Sequence, residues 1–395
     1  MSETGPKEAV AAQDYWAIVR REFFRRKLPV VALVVVLMLA LLALFAPLLA
    51  NDKPLIARYK GQLRFPAFTT YLDVLPLPPG MILSLRRNVT FFAAHWPELE
   101  GKTWKEAIVE GRSDVDFTEQ DALAAPLEKA TQLWHEGSWG WAIMAPVPYG
   151  FDENNSKLRK LKPGAAELEG TKHLWGTDEL GRDVLARMLY GTIVSMTVGL
   201  LSVSIYCLLG VIIGALAGYF GGWVDLVISR IIEVVICFPT LFLILAIAAV
   251  VGNSIYWIIL SLGLIRWTGP ARLIRAEFLK VKGSDYAIAA KSIGLKPSRI
   301  IFRHLVPNCL APVLVTATFG VAGAILVESS LSFLGFGVVP PMASWGEVGQ
   351  QGRAYVSEGL WHLIVLPGLA TFIAVTAFNM VGEGVRDAMD PRLKR

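Results

Sequence analysis

Acids set within apolar sequence are the first residues in this 395-residue chain that could do chemistry. A carboxylate at membrane depth is costly unless it has a task or a partner. Glu233 and Glu328 both sit inside or at the edge of long apolar runs. Glu233 follows Arg230 by three residues, which favours simple pairing. Glu328, ahead of Ser329 and Ser330, could serve a pathway or merely pair, and both readings stay open. Together they do not make the series of protonatable groups that a proton-driven carrier needs. Cys207, Cys237 and Cys309 lie in or beside apolar runs with no CxxC or Cys/His cluster, so they are expected to pack. His135-Glu136 lacks the second histidine of a zinc-protease helix, and no Gly-x-x-x-x-Gly-Lys-Ser/Thr phosphate loop occurs. The sequence thus predicts no catalytic residue, no metal and no cofactor.

The elements that hold these residues are set by composition. With 54% hydrophobic and only 18% charged residues, against about 25% charged in an ordinary soluble protein, the chain cannot be mainly water-soluble or disordered. The run 29–50 is free of charge and long enough to cross a hydrocarbon core about 30 Å thick. It is too long for a signal peptide and lacks a clean small-residue cleavage site, so an uncleaved helix is expected. Five further spans are expected at 191–219, 228–251, 254–269, 309–335 and 361–382, the third and fourth joined by a tight hairpin at 251–254. Pro239 should kink or break its span. Gly210, Gly214 and Gly218 fall on one helix face, a stripe that lets another helix approach closely.

Charge then orients the chain. A cluster at 20–27 with Arg20, Arg21, Arg25, Arg26 and Lys27 precedes the first span, and Arg386, Arg392, Lys394 and Arg395 follow the last. The segment 271–307 carries eight Lys/Arg against two acids, whereas 51–187 has 17 basic against 19 acidic residues. Both termini and 271–307 are therefore expected on the cytoplasmic side and 51–187 outside. A basic loop beside a membrane needs no nucleic-acid partner. The outer stretch 51–172 is too long to be a bare loop, so some folded structure is expected there. Helix-like spacing appears at 104–110 and 121–135. Trp134, Trp139, Trp141 and Tyr149 could form a docking or entrance surface, or equally the segment's own core or an aromatic belt.

The cytoplasmic loop is the most informative segment. Asp285 is a plausible N-cap, and Tyr286 to Ile293 spans about two helical turns. Gly294 suits the left-handed residue that ends a helix, Pro297 suits the first turn of the next, and Pro307 should stop it. Ala289 and Ala290 give the short helix a smooth face that could enter a groove on another protein. His304 lies on the second helix.

This loop resembles the EAA motif of ABC-importer permeases, with Ala289, Ala290, Gly294 and Pro307 at the motif positions and Ile288 where the glutamate stands. The stretches 173–185, 328–337 and 382–391 resemble the second permease subunit of dipeptide/oligopeptide/nickel ABC importers, and the outer segment is most similar to the branch that includes the microcin C/oligopeptide permease. The resemblance implies an all-α polytopic membrane protein with six transmembrane helices of the type I ABC importer kind and a mixed extracytoplasmic insertion between helices 1 and 2. On that division, 1–28 is a basic cytoplasmic segment, 29–50 helix 1, 51–187 the insertion, 188–382 a five-helix core with coupling loop 270–307, and 383–395 a cytoplasmic tail. It also implies a second homologous permease, two cytoplasmic ATPase subunits and an extracytoplasmic binding protein as partners, in an inner membrane. Hydrolysis of ATP falls to the partners; coupling falls to Asp285, Tyr286, Ala289, Ala290, Gly294, Pro297, His304 and Pro307. The cargo class it implies is peptide, with nickel or other small solutes carried by similar permeases. A secondary carrier, or a membrane-tethered extracytoplasmic binding or enzymatic protein, is the competing class. Inverted repeats or intramembrane ion ligands would mark the first, and a nucleophile setting or ligand spacing in 51–172 the second.

Overall fold

A computed structural model of the chain describes residues 15–59, 62–68, 70–71, 139–164 and 172–389. Eleven α-helices carry the description: α1 (Tyr15–Arg25), α2 (Lys27–Leu49), α3 (Val184–Phe220), α4 (Gly222–Cys237), α5 (Thr240–Val251), α6 (Ile255–Arg266), α7 (Thr268–Val281), α8 (Asp285–Ser292), α9 (Ala311–Phe333), α10 (Trp345–Tyr355) and α11 (His362–Met389). Shorter helical turns complete the loop after α8. Three strands, β1 (Ile56–Tyr59), β2 (Gln62–Arg64) and β3 (Trp139–Ile143), form a small antiparallel sheet in the order β2-β1-β3, with Tyr59 opposite Trp139. Among the described residues α2, α3, α9 and α11 are long and apolar enough to cross a membrane, and α4 with α5 would make a fifth span if taken as one.

Several expected boundaries shift. Helix α3 starts at Val184, ahead of the expected 191 and of the 188 boundary, because Asp183 caps it by accepting a 2.6 Å hydrogen bond from the Ala186 amide. The expected span 228–251 is two helices bent by 81°. Pro239 has no N–H to donate, and Phe238 before it is held extended at φ −94°, ψ 125°, in the region a pre-proline residue favours. Helix α6 does not end in a loop near 269, since Trp267 keeps helical dihedrals and α7 follows directly. The helix-like stretches at 104–110 and 121–135, with Trp134, lie outside the described residues.

The glycine stripe packs within the subunit. A Cβ on Gly210 would sit 2.7 Å from Pro270 Cβ, on Gly214 2.3 Å from the Ala271 carbonyl oxygen, and on Gly218 2.5 Å from Phe278 Cβ. Helix α7 therefore lies against the backbone of α3 along that face. The main core joins α3, α6, α9 and α11 through residues such as Leu262, Ile325, Leu331 and Leu363, all fully buried. At the other edge α1 lays Val19 and Phe23 against Val381 and Ala388 of α11, and Arg26 pairs with Asp387.

Candidate functional site

The loop after α7 packs around one core. Ser284, not Asp285, holds the N-cap position of α8: the Ser284 carbonyl accepts from the amides of Ala287 and Ile288 at 3.0 Å, and Asp285 stands in the first turn. An acid there and Lys291 in the last turn both complement the helix dipole. At the C-terminus the Leu295 amide donates to the Ala290 carbonyl at 3.3 Å and the Gly294 amide to Lys291 at 3.0 Å. That paired closure requires a left-handed residue, and Gly294 supplies it at φ +77°. Pro297 opens the next helical turn, as its fixed φ favours.

Beyond it the structure differs from the single helix expected before Pro307. A turn at Pro297–Arg299 passes into a π-helical turn, Ile300–Leu305, and then Val306–Cys309. Pro307 falls within the first residues of that last turn and does not stop it. Ala290 faces inward with Ala287, against Ile300, Ile301 and Leu305 and the α7 residues Ile274 and Phe278. Ala289 is exposed, so the two alanines do not share one outward face. What the loop presents outward is apolar: Tyr286 is 44% exposed, Ile288 53%, Ile293 75% and Phe302 45%. His304 is half-buried beside them. Such a set beside Lys282, Lys291, Lys296 and Arg299 suits contact with another protein better than contact with water.

At the opposite end of α3 a buried polar network appears that no single residue in the sequence announced. Asp178 accepts from Arg182 Nε at 2.7 Å and lies 3.5 Å from Arg187 Nε. Arg187, fully buried, also donates to the Phe151 carbonyl at 3.0 Å and pairs with Glu347 of α10, which Gln351 also contacts. His173 Nδ1 lies 2.8 Å from Asp183, and its ring stacks on Tyr149 with centroids 4.2 Å apart. Gly181 turns at φ +78°, where a Cβ would lie 1.8 Å from the Asn155 carbonyl oxygen. The pieces joined here come from 149–153, 173–187 and 344–351. They fix α10 across the N-terminal end of α3.

The remaining sequence candidates divide. Glu328 is fully buried and accepts from Ser195 at 2.9 Å and Ser332 at 2.8 Å, which makes it a packing contact between α3 and α9. Glu233 pairs with Arg230 on the exposed surface of α4. Tyr149 is buried with Ala46, Ala50 and Tyr190, so it belongs to a core and offers no docking surface. Trp139 and Trp141 lie on β3. The network of Asp178, Arg182, Arg187 and Glu347 had two signals in the sequence: the 173–185 stretch, which holds Asp178 and Arg182, and a run of charges placed immediately before a long apolar stretch.

Known proteins give this geometry a context. Residues 210–395 match the model described as "Binding-protein-dependent transport system inner membrane component", and residues 14–66 match "N-terminal TM domain of oligopeptide transport permease C". The dipeptide transport system permease protein DppC of Alkalihalophilus pseudofirmus is 36% identical over 255 residues, covering 64% of this chain and 82% of that protein. DppC of Bacillus subtilis is 40% identical over 256 residues, 64% of this chain and 78% of that one. The oligopeptide transport system permease protein OppC of Bacillus subtilis is 35% identical over 257 residues, 64% and 82%.

Proposed function

The chain belongs to the dipeptide/oligopeptide permeases of binding-protein-dependent ABC transporters, and from that premise we propose how its parts divide the work. Six spans cross the inner membrane: α2, α3, the broken pair α4–α5, the continuous run α6–α7, α9 and α11. Both termini and the loop 285–307 face the cytoplasm. With a second, homologous permease the chain encloses the translocation pathway, and the cargo is peptide. Two ATPase subunits bind the permease pair from the cytoplasm, one of them on this loop, and an extracytoplasmic binding protein delivers the load to the other side.

The observation that carries this reading is the loop itself. Helix α8 and the turns from Pro297 to Cys309 share one core with α7, yet expose Tyr286, Ile288, Ile293 and Phe302. A body that is stiff inside and apolar outside can transmit a push from a bound partner into α7, and through the close α3–α7 contact into the spans. Ile288 makes the contact at its position apolar rather than ionic. Asp285, Tyr286, Ala289, Gly294, Pro297 and His304 belong to this coupling body, with Ala290 and Pro307 as its internal support. The outer segment 51–172 lies where delivery occurs, and Trp134, Trp139 and Trp141 are its candidate contacts.

Reconstitution tests the whole reading. Proteoliposomes carrying this chain, its partner permease and the ATPases should accumulate labelled oligopeptide only with ATP inside the reach of the ATPases and with the binding protein present. Uptake driven by an ion gradient without ATP would contradict it.

A further inference from the structure

Helix α1 ends where the first span begins, and the junction is strongly basic. Residues 20–27 hold Arg20, Arg21, Arg25, Arg26 and Lys27 against the single acid Glu22. Arg26, between α1 and α2, is extended at φ −96°, ψ 124°, so α1 is a separate helix and no mere continuation of the span. A Cβ on Gly384 of α11 would meet Pro29 Cβ and would lie 2.8 Å from Phe23 Cε2. Phe23 of α1 and Pro29 of α2 therefore stand at the same level of α11. Pro29 opens the charge-free run that enters the hydrocarbon, which puts the middle of α1 at the membrane boundary.

The two sides of α1 differ. Val19 and Phe23, one turn apart, pack on Val381 and Ala388 of α11. The opposite side carries Arg20, Arg21 and Phe24, with Arg25 beside them, all exposed. Arg25 lies 3.9 Å from Glu22, and Arg26 pairs with Asp387. Among the described residues Arg20, Arg21 and Lys27 pair with no carboxylate. Phe24 is 57% exposed among these cations. The apolar strip it begins continues through Leu28, Val31 and Val34, all exposed on α2. A phenyl ring flanked by guanidinium groups suits the layer where headgroups meet acyl chains, with the ring in the chains and the charges in the headgroups. An interfacial helix ordinarily lays its apolar face on lipid; here α11 takes that face and holds the arginines outward.

We propose that this patch binds anionic phospholipid: Arg20, Arg21, Arg25 and Lys27 donate to headgroup phosphate oxygens, while Phe24 and Leu28 rest on the first carbons of the acyl chains. Guanidinium forks fit phosphate with parallel bonds, and basic residues beside a span draw anionic lipid to it. The bound lipid closes the junction of α1, α2 and α11 from the membrane side, as Arg26 and Asp387 tie it from the protein side. The proposal needs α2 to cross the membrane and does not depend on what the permease carries. An acidic surface of another subunit is the rival occupant, and the experiment separates the two.

The test places the full complex in nanodiscs of phosphatidylcholine doped with phosphatidylglycerol, washes it with detergent and measures by mass spectrometry the ratio of the two lipids that stay bound. The wild type is expected to retain phosphatidylglycerol enriched several-fold over the starting mixture, and the enrichment should shrink as salt is raised. The triple variant Arg20→Gln, Arg21→Gln, Arg25→Gln should bring the enrichment down towards one. Glu22→Gln, which frees Arg25, should raise it, and the exposed control Arg353→Gln should leave it unchanged. No enrichment in the wild type, or wild-type enrichment in the triple variant, overturns the proposal. So does loss of an ATPase or of the partner permease when the triple variant is purified, because it would put a protein surface on the patch. Should the triple variant fail to insert, Arg20→Gln and Arg21→Gln decide singly: each must lower the enrichment, and unchanged values overturn the site.

Discussion

Arg187 and Asp52 show how differently two charged residues beside the 149–153 segment are treated. Arg187 is fully buried and balanced by Glu347 and Asp178. Removing one member of such a set leaves an unpaired buried charge, at a cost of about 3–5 kcal/mol, whereas replacing both members by apolar groups is often nearly neutral. Arg187→Met should therefore lower the thermal stability of the purified protein sharply, and adding Glu347→Met should recover much of the loss. Equal stability of Arg187→Met and wild type, followed by intrinsic fluorescence, would contradict the network. Among the described residues Asp52 makes no ion pair. Burial pushes its carboxyl up to about 6, Lys53 opposes that, and Glu153 and Asp152 add to it. The folded state thus holds a proton that the unfolded chain, at its ordinary value of 3.8, releases sooner. The sign follows: stability falls as pH rises from about 4 to about 6 and is level above that. Asp52→Asn should flatten this stretch of the curve, measured as the unfolding midpoint of variant against wild type. Identical slopes in the two proteins would refute it.

Among the elements, the α3–α7 contact and the loop it supports have the clearest sequence signals, and they are also where sequence reasoning stops short. The spacing of Gly210, Gly214 and Gly218 marks a close helix contact, but periodicity has no means of saying which helix arrives. Only the fold identifies α7. Gly214 is the tightest point, so Gly214→Val should force the helices apart and cost about 1–3 kcal/mol, as overpacking does elsewhere. A variant with wild-type thermal stability would mean that the two helices are not held there. In the loop, Gly294 and Pro297 are legible because each has a backbone requirement that few residues meet. The π-helical turn at Ile300–Leu305 is not legible, since its residues have no distinguishing pattern. The inward turn of Ala290 likewise depends on Phe278 and Ile301, which are distant in sequence or hidden in an apolar run.

For the molecule as a whole, long charge-free runs made the helical membrane class readable, while the continuity of α6 with α7 was not. Charges after Arg266 suggest an end to the span, yet the backbone continues because Trp267 is helical and α7 is held by α3. The network at the N-terminal end of α3 was hidden for another reason: Asp178, Arg187 and Glu347 meet only once α10 folds back over α3, across 160 residues between Arg187 and Glu347. The proposed coupling runs from the exposed loop through α7 to the spans. Gly294 tests that path without a volume change, because a Cβ there would meet nothing within 4 Å and only the backbone at φ +77° is disturbed. Asn tolerates the left-handed region and Val does not. The direct measurement is ATP hydrolysis by the reconstituted complex, with and without loaded binding protein, for wild type, Gly294→Asn and Gly294→Val. The account predicts that Gly294→Asn keeps most of the stimulation and that Gly294→Val, inserted and assembled normally, loses it together with uptake. Full stimulation and transport in Gly294→Val would contradict the coupling role of the loop.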